Sequence, residues 1–170
     1  MHTDRLTMSF LLVSSLLLLS SVPVLAQPAS TRDVQVRTIV FVCEHGSAKS
    51  IVAAAHFNEV AARNGLPYRA LARGVRPDKE VPPYIISGLA AEGLNVRGWQ
   101  PKRFSEDDAL KAERVVTLGC ALPTSKAFAA DKFQDWDIPS PSENYKNASR
   151  KIAERIASLL KQLVGKQTLP

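Results

Sequence analysis

Cysteine is nearly absent from this chain of 170 residues, which holds only Cys43 and Cys120. So few thiols exclude a disulfide-dense scaffold. The three histidines, His2, His45 and His56, are set far apart. No metal site and no cofactor is expected from such a set. Aromatic residues make up 6% of the chain, and its basic residues (Arg63, Arg69, Arg73, Arg76, Lys79, Arg97) are scattered rather than clustered. A nucleic-acid surface is therefore not expected. After the N-terminal segment there is no second long apolar run, so nothing else is expected to span a membrane. Internal repeats and low-complexity stretches are missing too.

The N-terminal segment itself, "MHTDRLTMSFLLVSSLLLLSSVPVLAQ", has Arg5 in a short polar start, an apolar run over roughly 8–19, and Val24 and Ala26 before Gln27. This order predicts a signal peptide over 1–26, cleaved before Gln27, and an exported protein, periplasmic or secreted. Residues 27–36 read as a flexible lead-in and 37–166 as one domain, long enough to bury a core. The net charge of +6 owes nothing to the signal segment, where Arg5 offsets Asp4. It favours an anionic small ligand or an acidic partner.

Hydrophobic periodicity predicts the elements. "RTIVFVC" (37–43) is a β-branched run suited to a buried parallel strand. "KSIVAAAHFNEVAARNG" (49–65) has a helical stripe and a glycine stop. Further strands are expected at 68–74, 113–120 and 132–138, and helices at 81–94 and 141–164. The alternation predicts an α/β fold with a parallel sheet and helices on both faces. Ligands of such sheets sit beyond the carboxyl ends of the strands, and Cys43 ends the first strand.

The stretch "FVCEHGSAKS" (41–50) is a strand end, a small-residue loop and a helix start. Amides converge at such a helix N-terminus and its dipole attracts anions. The same field favours a thiolate at Cys43, with Lys49 as a basic neighbour and Ser50 as a hydroxyl donor to sulfur. This is a setting for a nucleophile that attacks a bound oxyanion. An ordinary helix-start loop, with Ser47 as N-cap and a buried structural cysteine, fits the same residues. His45 reads as a solvated loop histidine or an acid–base group, and His56, within the first helix, as structural.

Strand–Cys–five residues–basic–Ser–helix resembles the low-molecular-weight protein tyrosine phosphatases and the related thioredoxin-coupled arsenate reductases, whose loop is C-x5-R-S. The likeness continues through "LARG" (71–74), "VPPYIISGLAAEGLNVRGWQPKRF" (81–104), "ERVVTLGC" (113–120), "DWDIPSP" (135–141) and the final helix. It implies a three-layer fold around a four-stranded parallel sheet of order 2-1-3-4. It also implies hydrolysis of phosphotyrosine or another phosphomonoester through a cysteinyl-phosphate. Cys43 would be the nucleophile, with Glu44, His45, Gly46, Ser47, Ala48 and Lys49 binding the oxyanion and Ser50 tuning the thiolate. The expected partners are a phosphorylated substrate or small oxyanion, and an external thiol reductant.

The chain departs from the family pattern at informative places. Lys49 stands where the family has arginine, and a point charge replaces a planar fork of donors. His45 and Gly46 stand where the family usually has Gly-Asn. Ser140-Pro141 stands where the family has its acidic Asp-Pro, which leaves Asp137, with Asp135 nearby, as the expected proton donor. Weak or altered activity follows. Cys120, one residue beyond the family's redox position, is the redox partner the resemblance offers to Cys43, and a Cys43–Cys120 disulfide is geometrically allowed. Arsenate-reductase-like thiol chemistry, a non-catalytic oxyanion binder and a structural disulfide domain stay open as alternatives.

Overall fold

The computed structural model describes residues 35–122 and 130–165. The expected signal peptide and most of the lead-in lie outside them, as does the end of the expected domain. The elements are β1 (Arg37–Cys43), α1 (Lys49–Arg63), β2 (Tyr68–Gly74), α2 (Pro83–Ala91), α3 (Glu106–Lys111), β3 (Ala112–Thr117), β4 (Phe133–Asp135) and α4 (Tyr145–Gly165), with a 3-10 turn at Ala130–Lys132. The four strands form one sheet of order β2-β1-β3-β4, all parallel. This is the sheet the sequence resemblance implies.

β1 is central and buried on both faces, and its side chains divide by the two-residue period of a strand. Ile39, Phe41 and Cys43 join a core with Ile51 and Phe57 of α1, Ile85 and Leu89 of α2, and Ile152, Ile156 and Leu159 of α4. Val40 and Val42 point the other way, against Phe104 and Ala109. Phe41 anchors the first core, its ring centroid 5.9 Å from Phe57 and 5.5 Å from Trp136. Fully burying one such side chain is worth about 1.5–3 kcal/mol.

Several elements differ in extent from expectation. β3 ends at Thr117 because Gly119 adopts a positive φ of 72° and turns the chain. α2 starts at Pro83, behind Pro82 as N-cap. α4 starts at Tyr145, because the amides of Glu143 and Asn144 close a turn on the Ser140 carbonyl. α3 was not expected. Its start is a capping box, in which Ser105 and Asp108 satisfy each other's backbone amides. Among the described residues no helix is long and apolar enough to cross a membrane.

Candidate active site

The parallel register brings the carboxyl ends of all four strands to one edge. Cys43 lies opposite Gly74, Val42 opposite Thr117, and Thr117 opposite Asp135. The loop after β1 therefore opens between the ends of β2 and β3, with β4 beyond β3.

That loop is fastened by its carbonyls. The amides of Val75, Arg76 and Asp78 donate to the carbonyls of Cys43, Glu44 and His45 at 3.1, 2.8 and 3.0 Å. With the carbonyls drawn outward, the amide of Gly46 faces inward and donates to Cys43 Sγ at 3.2 Å. Gly46 takes a φ of +64° and packs against Gly74 so closely that a Cβ on either would strike the other's backbone within 3 Å. Buried Ser50 lies 3.3 Å from Cys43 Sγ, accepting from the thiol and able to donate to a thiolate.

α1 has Ala48 as N-cap, no side-chain cap and no acidic residue in its first turn. The expected N-cap hydroxyl, that of Ser47, is turned away to Asp78 Oδ2. The amides of His45, Ser47 and Ala48 find no acceptor among the described residues. Free amides around a sulfur at a helix N-terminus are what an oxyanion requires.

The rim is built from paired charges. Glu44 Oε1 is 2.7 Å from Arg76 Nε. His45 Nδ1 is 3.3 Å from Asp78 Oδ1, with both side chains exposed. Asp78 thus holds the loop three times, through Ser47 Oγ, the His45 ring and the His45 carbonyl. Burial raises the Tyr84 hydroxyl's pKa, and the Asp78 charge nearby raises it further. Asp78 was not among the expected site residues. It reaches the loop only through the pairing of β1 with β2, and no local motif marks it.

Lys49 Nζ does not join the sulfur. It donates to the Ile138 carbonyl at 2.9 Å, tying the start of α1 to the segment after β4. Asp137 precedes that carbonyl; it is exposed between buried Trp136 and Ile138 and has no bonded partner among the described residues. Asp135 accepts from Thr117 Oγ1. Ser140 Oγ shares a hydrogen bond of 2.8 Å with Ser142.

Both cysteines are free. Cys43 packs in the core shared with α1, whereas Cys120 packs against Val40, Val42 and Phe104 on the other face of the sheet. Its thiol faces the Val42 carbonyl at 3.5 Å. Cys120 comes just after the turn at Gly119 that ends the strand. Burial pushes the Cys120 thiol up to about 11, and the negative charges of Cys43, Glu44 and Asp135 act in the same direction. His56 is structural as expected: its Nε2 lies 2.9 Å from Glu92 Oε2 and 2.9 Å from Ser149 Oγ, joining α1, α4 and the end of α2.

Over residues 38–169 the sequence matches the model for low molecular weight phosphotyrosine protein phosphatase. The chain belongs to that family. No curated protein matches the sequence. Solved structures share the fold. A low molecular weight protein tyrosine phosphatase from T. tengcongensis is 21% identical, with 74% of this chain and 99% of that one covered and a TM-score of 0.65. A thioredoxin-dependent arsenate reductase from Corynebacterium glutamicum is 23% identical over 78% of this chain and 64% of its own, with a TM-score of 0.66. The YwlE arginine phosphatase from Geobacillus stearothermophilus is 22% identical over 77% and 95%, with a TM-score of 0.62.

Proposed function

We propose that the protein hydrolyses a phosphomonoester through a phosphorylated Cys43. The observation that carries this reading is the cradle: Cys43 Sγ receives the Gly46 amide at 3.2 Å, inside a loop in which the amides of His45, Ser47 and Ala48 find no acceptor among the described residues. The substrate's phosphoryl oxygens take those amides. The Cys43 thiolate, held by Ser50, attacks phosphorus along the axis of the cradle. Lys49 supplies positive charge from the α1 end, but as a point charge already engaged by Ile138. The place where the family likeness expects an acid is held by Ser140, and Asp137, three residues earlier, is exposed with no bonded partner among the described residues. The apolar segment ahead of Ala26 supports export, which a mature protein beginning near Gln27 would establish.

The test is turnover of an aryl phosphate by the reduced protein beside Cys43→Ser. Activity in the first and none in the second is the expected result. One observation favours a second reading, a non-catalytic oxyanion binder: Lys49 and Ser140 both bond to the protein itself rather than face the cradle. Phosphate binding without turnover in either protein establishes that reading instead.

A further inference from the structure

We propose that His45, oriented by Asp78, is the group that protonates the leaving group and then activates water. This rests on the phosphatase reading above. The place where the family likeness expects an acid is held by Ser140, whose hydroxyl is turned to Ser142. Asp135 is occupied by Thr117. Asp137 has no partner to fix it among the described residues. His45, by contrast, lies within the cradle loop, two residues after the nucleophile and next to the amide that bonds its sulfur. Its carbonyl is pinned by the Asp78 amide at 3.0 Å, and its Nδ1 faces Asp78 Oδ1 at 3.3 Å. The ring is thereby held by one nitrogen, and Nε2 has no partner among the described residues. A histidine held by a carboxylate is the side-chain pair best suited to moving a proton near neutrality.

The steps balance. Cys43 thiolate forms the S–P bond as the P–O bond to the leaving group breaks, and the Nε2 proton of cationic His45 passes to the departing oxygen, releasing an alcohol or phenol. Neutral His45, still donating from Nδ1 to Asp78, then takes a proton at Nε2 from water as that water attacks phosphorus. The S–P bond breaks, hydrogen phosphate leaves, and the thiolate and cationic His45 are restored. The charged and titratable groups around the ring are Asp78, Tyr84 beside Asp78, and the Glu44–Arg76 pair next along the loop.

The experiment compares the protein with His45→Gln, Asp78→Asn and Asp137→Asn on two aryl phosphates, one with a strongly acidic phenol as leaving group and one with a weakly acidic phenol. A general acid contributes about 100-fold or more where the leaving group needs its proton. His45→Gln should lose roughly that much on the weakly acidic phenol and only a few-fold on the other. Asp78→Asn, which removes the carboxylate that holds the ring at Nδ1, should likewise lose turnover mainly on the weakly acidic phenol. Equal losses from His45→Gln on both substrates, or leaving-group dependence in Asp137→Asn alone, overturns the assignment to His45 and leaves the phosphatase reading standing. Absence of Cys43-dependent turnover in the unmodified protein overturns both.

Discussion

Gly46 and Gly74 meet backbone to backbone: a Cβ on Gly46 would lie 2.7 Å from the Gly74 nitrogen, and one on Gly74 would lie 2.6 Å from the Gly46 nitrogen. This contact joins the cradle loop to the end of β2 and sets the direction of the Gly46 amide on Cys43 Sγ. Gly74→Ala is expected to destabilise the fold by about 1–3 kcal/mol, the usual cost of overpacking. Because the obstacle is backbone, relief must come from shifting the loop, so turnover should fall further than stability. Urea unfolding and turnover on the same sample check this. Unchanged activity with lowered stability would show that the cradle tolerates the shift.

The two thiols should react very differently. Burial and neighbouring negative charge raise Cys120 to about 11, so it stays protonated at pH 7.5. Iodoacetamide at that pH is expected to label Cys43 first, and phosphate to slow that labelling by filling the cradle. Cys120 labelling should rise steeply only as the pH approaches its raised value. Peptide mapping after timed labelling reads both rates, and equal labelling at pH 7.5 contradicts the assignment.

Much of the fold was legible because its signals are local. The β-branched run 37–43 and the segment 68–74 became strands with the expected limits. The geometry of the candidate cradle was legible for the same reason, since Cys43, Gly46 and Ser50 are close in sequence and meet at a strand-to-helix turn. Asp78 was not legible: it lies 33 positions after His45, and only parallel pairing brings them together. Nor was the tie from Lys49 to Ile138, 89 residues apart. The α3 helix had a readable signal, Ser105 three residues before Asp108, but at Glu106–Lys111 it is too short to show a period.

Asp108 gives the fold a pH dependence. Burial alone pushes its carboxyl up, but hydrogen bonds from Arg73 and Ser105 and the guanidinium's charge outweigh this, and the net shift is downward. Arg73 Nε lies 3.0 Å from each carboxylate oxygen. A carboxyl lowered on folding adds stability above its unfolded value, about 3.9, and loses it as the pH falls through the folded value. Asp108→Asn should therefore lower Tm clearly at pH 7 and by less at pH 3. A constant gap across that range would mean that packing, not charge, is what Asp108 contributes.

Lys49 offers the strongest test of how this loop departs from its family. Its ammonium is held by the Ile138 carbonyl and lies 3.3 Å from where a Cβ on Gly119 would sit. A catalytic oxyanion must compete with that carbonyl for it. Arginine has donors to spare, so Lys49→Arg can keep the tie to Ile138 while offering a second N–H to phosphate. Losing one aimed donor costs about 100-fold or more in turnover in a preorganised oxyanion site. A gain of roughly 10-fold in kcat with a smaller change in KM is accordingly expected for Lys49→Arg, a conservative share of that effect. Lys49→Met should lower kcat and weaken phosphate binding together. If Lys49→Arg gains nothing while Lys49→Met is unaffected in turnover, the lysine serves only to tie α1 to the segment after β4. Transition-state charge would then rest on the loop amides alone.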